Sequence, residues 1–411
     1  MSSDKDKKLH VLLLNRSFWP DTEATGQFLT ELCQELKEKY KITVIAGRSY
    51  YIKEKRFKGL SLYRKEIFDD IEVLRVRHTI FWKGNLLGRM ANWLTYCILA
   101  FLSMLKMKPD VMIVCTDPPF LGIIAMIIGR LKSVPYIYNC RDLYPDVALA
   151  LGKLKKGLSS DIFDYFNRKA FYSARFLVPL GQSMKNKLIK KNVPGEKIRI
   201  ITDWVDTLQI KPIPKKENSL LEKFGIKNKF VIVYSGNIGL SQGFEIILDS
   251  IKFFPNDVHF VFIGEGAGKD ALKNQAQSLN LKNILFLPYQ PKEMLPFSLS
   301  MADLHVVPLM QGTAGTVVPS KLYGIMAVSR PYLAITDEES EPAILAKEFK
   351  CGLWAAPGNI KAVSDNIRWA IGHPKELEDM GSCGRKIAET RFDKKIVIKE
   401  WFKLLDNFNH K

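Results

Sequence analysis

The chain has 411 residues, of which 47% are hydrophobic, so a disordered or fibrous protein is excluded and two or three domains are expected. Lys and Arg total 61 and Asp and Glu total 43, which gives a formal net charge of +18. Residues 1–200 contain 35 basic and 19 acidic residues, a net charge of +16, and residues 201–411 carry the remaining +2. This imbalance predicts an anionic partner for the first half: nucleic acid, an anionic membrane surface or a phosphorylated substrate.

The cysteines and the amino-terminal residues indicate the compartment. No C-x-x-C pair occurs and most of the cysteines stand in apolar stretches, so we expect buried thiols in a reducing compartment, with no disulfide framework or zinc site. The six are Cys33, Cys97, Cys115, Cys140, Cys351 and Cys383. The chain starts with polar residues and runs into a strand, so we expect no signal peptide. The most apolar stretch, residues 93–105, is shorter than the about 20 residues that a bilayer requires.

Short β-branched runs alternate with longer helical patterns along the chain. In the first half, strands are predicted at residues 10–15, 42–47, 72–77, 111–116, 136–139, 176–179 and 198–202. In the second half, they are predicted at residues 230–235, 259–264, 284–288, 304–308, 332–335 and 352–355. Helical patterns between them include residues 25–39, 267–279, 322–328 and 359–371. The alternation indicates parallel sheets covered by helices, and the number of strands favours two Rossmann-like doubly wound α/β domains.

A change in composition marks the domain boundary. Residues 203–218 contain Pro212 and Pro214 followed by charged residues without periodicity, which is typical of a linker. We therefore expect a first domain over residues 1–205 and a second over 206–393. The last helical pattern has apolar positions on one face, and we expect residues 394–411 to pack back on the first domain.

Two loops of the first domain contain candidate functional residues. Thr25 and Gly26 stand near a predicted helix start, where backbone N–H groups suit an anion, although an ordinary capped loop is the alternative. Asp142 and Asp146 follow the strand predicted at residues 136–139. At the carboxyl edge of a sheet, an Asp can orient a sugar hydroxyl or stabilise an oxocarbenium-like centre, and helix capping is the alternative for either residue.

Glycine-rich loops follow the first two strands of the second domain. Gly236 and Gly239 allow backbone amides to approach a phosphate closely. Gly264 and Gly266 follow the next strand, where such a turn is a weak signal alone. No G-x-G-x-x-G follows the first strand of the chain, and this argues against a nucleotide-sugar epimerase or dehydrogenase.

A further segment contains the main candidate cation. Small residues lead into a predicted helix opened by Ser320, with Lys321 in its first turn. A lysine at this end is unfavourable for the helix dipole unless a phosphate lies there. A solvated lysine is the alternative.

Taken in order, these motifs resemble a known family. They are Tyr-Ser-Gly-Asn-Ile-Gly from residue 234, Gln-Gly from 242, Ile-Gly-Glu-Gly from 263, Leu-Pro-Tyr-Gln-Pro from 287, Val-Pro-Ser-Lys-Leu from 318, Phe-Trp-Pro-Asp from 18 and Arg-Asp-Leu-Tyr-Pro from 141. The set resembles the retaining glycosyltransferases of family 4. Within them it is most similar to the bacterial surface-polysaccharide branch that includes the colanic-acid fucosyltransferase and N-acetylfucosamine transferase types.

The resemblance implies a GT-B architecture, with two Rossmann-like domains facing an interdomain cleft. It implies an acceptor site in the first domain, a nucleoside-diphosphate sugar in the second, with UDP favoured over GDP, and neither a metal nor a prosthetic group. The implied donor-binding residues are Gly236, Asn237, Gly239, Gln242, Gly264, Glu265, Gly266, Tyr289, Gly315, Thr316, Val317, Ser320 and Lys321. The implied catalytic residues are Asp142, Lys321 and Gly26.

The chain departs from the family pattern at the donor site. Two glutamates expected in the family are replaced by Thr316 and Gly324, so the backbone amides of residues 314–317 are expected to substitute. The phosphate-binding Arg and Lys are replaced by Asn237 and Gln242. Lys321 is therefore the main cationic candidate for the diphosphate. Arg16 and Arg330 are weaker candidates.

The basic, apolar first half predicts an acceptor on a membrane. The residues that suggest it are Arg75, Arg77, Lys83, Arg89, Lys106, Lys108, Phe81, Trp82, Leu86, Leu87 and residues 93–105. We expect a cytoplasmic protein, peripheral on the inner face of the cytoplasmic membrane, with an undecaprenyl-diphosphate-linked saccharide as acceptor. Association with other polysaccharide-assembly enzymes is a further expectation. The alternative for residues 93–105 is a core helix.

The functional alternative is a non-catalytic, membrane-associated GT-B-like subunit or regulatory binding protein, since the glutamate pair is absent. Nucleic acid is not expected as a partner, because aromatic residues are not interleaved with basic ones in the pattern of a single-strand-binding protein.

Overall fold

Parallel strands and helices alternate along both halves of the computed structural model, which describes residues 8–49, 61–81, 86–239 and 242–409. The described chain divides into two units. The first extends to Pro145 and also includes Leu154–Ile201 and the residues from Ile398 onward. The second comprises Asp146–Lys153 and Thr202–Val397.

The strands of the first unit are β1 (His10–Leu14), β2 (Lys41–Ala46), β3 (Tyr63–Phe68), β4 (Ile71–Val76), β5 (Val111–Val114), β6 (Tyr136–Cys140) and β7 (Phe176–Pro179). Those of the second unit are β8 (Phe230–Ser235), β9 (Val258–Ile263), β10 (Ile284–Leu287), β11 (Leu304–Pro308), β12 (Tyr332–Ile335) and β13 (Gly352–Ala355).

The helices up to the second sheet are α1 (Ala24–Leu36), α2 (Leu86–Leu105), α3 (Leu121–Lys132), α4 (Asp146–Ala150), α5 (Leu158–Ser173), α6 (Gln182–Lys190) and α7 (Ser219–Lys223). The later ones are α8 (Glu245–Ile251), α9 (Lys269–Ser278), α10 (Leu295–Ser300), α11 (Lys321–Ala327), α12 (Glu341–Phe349), α13 (Ile360–Gly372), α14 (Pro374–Ile387) and α15 (Lys394–Asp406).

The sheet of the first unit has the order β3-β4-β2-β1-β5-β6-β7. All its pairings are parallel except that of the edge strand β3, which runs antiparallel to β4. The central strands are buried on both faces, and this explains their continuous apolar sequences. Residues that follow β1, β5 and β6 therefore share one edge of this sheet.

The sheet of the second unit has the order β10-β9-β8-β11-β12-β13, and all its pairings are parallel. The order reverses direction at β8 and β11, which is the place where ligands bind in open α/β sheets. The predicted alternation of parallel strands and helices in two Rossmann-like domains is confirmed. The bounds predicted for β8, β11, β12 and β13 are those observed.

Three predictions about the chain path were wrong. The expected strand at residues 198–202 reduces to an isolated bridge between Ile198 and Leu177. The strand β3 was missed, since its sequence Tyr-Arg-Lys-Glu-Ile-Phe carries the charges that edge strands tolerate. Part of the expected linker, residues 203–218, is packed instead, because Val205 and Ile210 are buried in a hydrophobic cluster of the second unit.

The apolar stretch at residues 93–105 belongs to α2, whose 20 residues extend it toward the amino terminus. None of the helices in the described ranges combines the length and hydropathy needed to cross a membrane. Arg75, expected at a membrane, is fully buried instead. Its guanidinium pairs with Glu66 at 2.6 Å and donates to Gly47 O at 3.1 Å and to Trp19 O, so it is a structural residue. Lys83 and Trp82 lie outside the described residues.

Five of the six cysteines are buried, as expected, and Cys383 is exposed. Burial raises the pKa of the Cys115 thiol to about 12, and it has the same effect on Cys97. These thiols are protonated at neutral pH and behave as small apolar side chains.

Candidate functional site

Two glycine loops lie side by side at the carboxyl edge of the second sheet. The first follows β8 and the second follows β9. Ile238 N donates to Glu265 O at 2.9 Å, and Gly268 N donates to Ile238 O at 2.9 Å. A Cβ on Gly264 would overlap Gly236 O, and one on Gly266 would overlap Ile238 O. The two glycines are therefore required because the backbones of the loops touch.

The backbone hydrogen bonds distinguish which amides of these loops can bind a ligand. Gly236 N donates to Ile263 O and Gly264 N donates to Leu287 O, so both are used by the sheet. Within the described ranges, the N–H groups of Asn237, Gly239 and Gly266 have no hydrogen-bond partner. The predicted approach of backbone to phosphate is thus open to these three amides and closed to the amides of Gly236 and Gly264.

Lys321, the first residue of α11, brings its ammonium group to the same loops. Its Nζ lies 3.6 Å from the centroid of the Tyr234 ring, and a Cβ on Gly236 would be 2.9 Å from it. Tyr234 Oη also donates to Asn237 O at 2.6 Å, so one side chain contacts both the loop and the lysine. Burial lowers the pKa of Lys321 to about 7. In the part of the chain that the structure describes, Lys321 makes no hydrogen bond or ion pair, so its charge has no internal counter-ion.

Lys269, at the start of α9, was not predicted as a site residue. It is buried, and its Nζ donates to Gly264 O at 2.8 Å and to Glu265 Oε1 at 2.7 Å. It therefore positions the loop after β9. It also forms an ion pair with the carboxylate of Glu265, a residue that was expected to contact the donor. Neither Lys269 nor Tyr234 carries a sequence signal for this role beyond its place beside a glycine loop.

The remaining predicted donor residues lie around these loops. Gln242 Oε1 is buried, is 3.1 Å from where a Cβ of Gly239 would be, and has no hydrogen-bond partner among the described residues. Tyr289 is 53% exposed, and its ring would be 3.5 Å from a Cβ on Gly264. Tyr289 is thus at the rim, where a planar base could stack on it.

The segment before α11 contains Gly315, Thr316, Val317 and Ser320. Gly315 has a φ of +68°, which favours glycine. Thr316 is fully buried, and both its N–H and its Oγ1 donate to Thr313 O, at 3.0 and 2.7 Å. The proposal that the Thr316 amide binds the donor is therefore wrong, because that group is already used. Val317 and Ser320 are half-buried, and Ser320 precedes α11 without a side-chain cap.

The two weaker cationic candidates are engaged elsewhere. Arg330 precedes β12, at the opposite edge of the second sheet, and donates to Ser300 O at 3.0 Å and Ile213 O at 3.3 Å. Arg16 belongs to the first unit and forms a salt bridge of 2.9 Å with Asp117. Each guanidinium already has partners within its own unit, and these contacts give the two diphosphate predictions no support.

Asp142 lies at the carboxyl edge of the first sheet, after β6. Its backbone N–H donates to Thr116 Oγ1 at 3.0 Å, which links it to the end of β5. Burial raises the pKa of the carboxyl to about 6; the Arg141 charge opposes this shift and the Asp117 charge reinforces it. Its carboxylate has no hydrogen-bond partner in the described chain, so it is free to accept a hydrogen bond from a ligand hydroxyl.

Gly26 is the third residue of α1 and is buried. A Cβ there would be 2.8 Å from Ser17 Oγ, and Gly26 O accepts from Thr30 Oγ1 at 2.7 Å. Ser17 Oγ donates to Asp21 Oδ2 at 3.2 Å, and Ser49 Oγ donates to Asp21 Oδ1 at 2.5 Å. Gly26 thus allows a polar loop to pack tightly on the start of α1. Among the residues described, no cluster of three His, Cys, Asp or Glu side chains could hold a metal ion.

Comparisons with known proteins match both halves of the chain to glycosyltransferase families. Residues 216–387 match the family profile described as glycosyl transferases group 1, and residues 24–204 match the glycosyl transferase 4-like domain. The chain is 25% identical over 405 residues to the colanic acid biosynthesis glycosyl transferase WcaI of Escherichia coli K12, covering 96% of this chain and 98% of the relative. It is 26% identical over 332 residues to the glycosyltransferase WbjE of Pseudomonas aeruginosa, covering 78% and 82%.

Solved structures share the fold. Anabaena HepE in complex with UDP has a TM-score of 0.74 at 15% identity, covering 97% of this chain and 100% of that one. WaaG, a glycosyltransferase involved in lipopolysaccharide biosynthesis, has a TM-score of 0.70 at 14% identity, covering 98% and 100%.

Proposed function

The chain belongs to the glycosyltransferases of GT-B architecture, and from this premise we propose that it transfers a sugar from a nucleoside-diphosphate sugar to a lipid-linked saccharide. We propose UDP rather than GDP as the nucleotide, a hexosyl, N-acetylhexosaminyl or fucosaminyl group as the sugar, and surface polysaccharide or O-antigen as the product. The structural neighbours crystallised with UDP and UDP-glucose support the choice of UDP.

The observation that carries the proposal is the position of the Lys321 ammonium group. It lies over the Tyr234 ring beside two loops in which the amides of Asn237, Gly239 and Gly266 have no hydrogen-bond partner among the described residues. An unpaired, partly desolvated cation next to such amides is a site for an anion. A diphosphate supplies the missing charge and the hydrogen-bond acceptors together.

We infer that this site acts mainly on the leaving group. In the transfer, the bond between the anomeric carbon and the diphosphate oxygen breaks, and the carbon forms a bond to the acceptor hydroxyl oxygen. The proton of that hydroxyl passes to the departing diphosphate, and the configuration is retained. Lys321 and the amides stabilise the charge that develops on the diphosphate, which is the largest contribution expected from the protein.

We place the acceptor at the carboxyl edge of the first sheet. The Asp142 carboxylate there has no hydrogen-bond partner within the described ranges, and its pKa of about 6 leaves it ionised at neutral pH. An ionised Asp can accept a hydrogen bond from the acceptor sugar and orient the attacking hydroxyl. The net charge of +16 in residues 1–200 supports an anionic, phosphate-containing acceptor.

The proposal is tested by replacing the lysine. In calorimetric titrations with UDP, Lys321→Met is expected to weaken binding on the order of tenfold to a hundredfold, because a charge-assisted contact is lost. The matched control is Lys361→Met, an exposed lysine of α13 in the same unit, which should bind UDP as the unaltered protein does. Equal affinities for both variants would contradict the assignment of the diphosphate to Lys321.

Transfer itself is tested with a panel of UDP- and GDP-sugars and lipid-linked saccharides, and NMR of the product gives the anomeric configuration. A product with inverted configuration would refute the retaining mechanism. UDP binding without transfer or hydrolysis of any donor would support the non-catalytic subunit instead.

A further inference from the structure

Three helices of the first unit form one layer. The connections β4–α2–β5, β5–α3–β6 and β6–α5–β7 all step in the same direction across the sheet. Because such crossovers are right-handed, α2, α3 and α5 cover the same face. α3 packs against both α2 and α5, so their outer sides form a continuous surface, called here the α2–α3–α5 face.

The outer side of α2 is apolar along its whole length. Its exposed large hydrophobic residues are Leu87, Met90, Leu94, Ile98, Leu102 and Leu105. Steps of three and four residues place them on one side of the helix. The opposite side is buried: Tyr96, for example, is fully buried and donates to Ile45 O at 2.8 Å. The helix therefore packs on the core with one side and presents a second apolar stripe outward.

The same surface continues on the neighbouring helices. The exposed residues there are Ile127 and Leu131 of α3 and Leu158, Ile162, Tyr165, Phe166 and Tyr172 of α5. With six on α2, two on α3 and five on α5, the face holds thirteen of the 25 exposed large hydrophobic residues of the described chain. Apolar side chains gathered on one side of a protein mark an interaction surface.

Charge decides which partner suits this face. Neither α2 nor α3 contains an Asp or Glu, whereas Arg89, Arg130 and Lys132 stand on them. Lys155 and Lys156 are exposed just before α5. On α5, Asp164 is neutralised by Lys191 at 2.6 Å and Arg168 at 2.7 Å, which leaves Asp161 as its exposed acid. Apolar side chains bordered by cations are the composition of a surface that binds anionic lipid.

We propose that the α2–α3–α5 face docks the protein on an anionic lipid bilayer, with the outer side chains of the three helices in the interfacial region and the cations at the headgroups. The proposal rests on the proposed function, in that a lipid-linked acceptor requires the enzyme at a membrane. It adds the surface that makes the contact, including α3 and α5.

The experiment is flotation of the full chain with vesicles of phosphatidylcholine alone and vesicles containing about one-third phosphatidylglycerol. The unaltered protein should float only with the anionic vesicles, and less in high salt. Leu94→Glu, Leu131→Glu and Ile162→Glu, one on each helix, should each lower the bound fraction on the order of tenfold. Reversing the charges of Lys155 and Lys156 together should have a similar effect.

The matched control is Phe253→Glu, which changes an equally exposed residue of the second unit (56%) and should bind vesicles normally. Circular dichroism of every variant reports on folding, and UDP titration reports on the donor site, so failure of the lipid surface and failure of the transferase assignment are distinguishable. Absence of flotation with the anionic vesicles at both low and high salt would overturn the proposal, and so would equal flotation of all variants. So would a dimer in sedimentation that Leu94→Glu dissociates, since the face would then bind a second copy.

Discussion

At the scale of residues, similar side chains of the second unit have different roles because their neighbours differ. Lys269 and Lys321 each begin a helix after a loop of small residues. The Lys269 ammonium donates to Gly264 O and to the Glu265 carboxylate, so it holds the loop after β9 in place. Among the residues that the structure describes, Lys321 has an aromatic ring and no acid beside it, so an incoming anion is the partner that completes its environment.

The pH dependence of donor binding follows from the pKa of Lys321, which burial lowers to about 7. In the unliganded protein the ammonium form is lost as the pH rises through 7, whereas the diphosphate of UDP-glucose keeps its charge. Affinity for UDP-glucose should therefore be constant at acidic pH and fall by up to about tenfold per unit above pH 7. Calorimetry at pH 8 in buffers of different ionisation enthalpy should show uptake of up to about one proton on binding.

Lys321→Arg is the control for this prediction, because arginine stays protonated over the whole range. The variant should bind UDP-glucose without proton uptake and with a flat pH profile. Proton uptake that persists in Lys321→Arg would assign the titration to another group.

At the scale of elements, the donor edge of the second sheet is built from two loops that contact through their backbones. Gly266 has a φ of +154°, and a Cβ there would also be 2.6 Å from Asn237 Oδ1. Any larger residue must push the loop after β9 away from the loop after β8. The amides of Asn237 and Gly239 would move with it.

Gly266→Ala is expected to lower the free energy of unfolding by about 2 kcal/mol, since it adds backbone strain to a steric overlap. UDP affinity should fall with it, because the amides that face the ligand shift. Urea denaturation and UDP titration measure the two effects. Gly372→Ala is the matched control: apart from its own helix and chain neighbours, no atom of the described residues lies within 4 Å of its Cβ position, and its φ lies outside the left-handed region. A stable Gly266→Ala protein with unchanged UDP affinity would show that the loops do not need this contact.

At the scale of the whole molecule, the end of the chain belongs to the first unit. The residues from Ile398 onward group with it, and Tyr40 Oη donates to Asp406 Oδ1 at 2.9 Å. Leu405 is fully buried, and Phe408 contacts the Phe176 ring edge-on at 6.1 Å. The first unit is thus completed by residues that follow the entire second unit in sequence.

Leu405→Ala should destabilise the first unit by about 2–5 kcal/mol, the usual cost of a cavity at a buried leucine. Hydrogen exchange should accelerate at the amides of β1 and α1, while β8 and β9 keep their protection and UDP binding is unchanged. Ile396→Ala, at a partly exposed position of the same helix, is the control and should leave exchange near that of the unaltered protein. Equal acceleration in both units would show that they unfold together.

The sequence by itself determined the two α/β domains, most strand positions to within two residues and the places of the glycine loops, because apolar periodicity and turn residues are local signals. The tertiary structure decided which charges are available. Arg75 and Arg16 were expected to meet a membrane and a diphosphate, yet they bind Glu66 and Asp117. Tyr234 gained its role only when the fold placed Lys321 over its ring. Pairing between residues distant in sequence depends on the packed geometry, and no local pattern of residues contains that information.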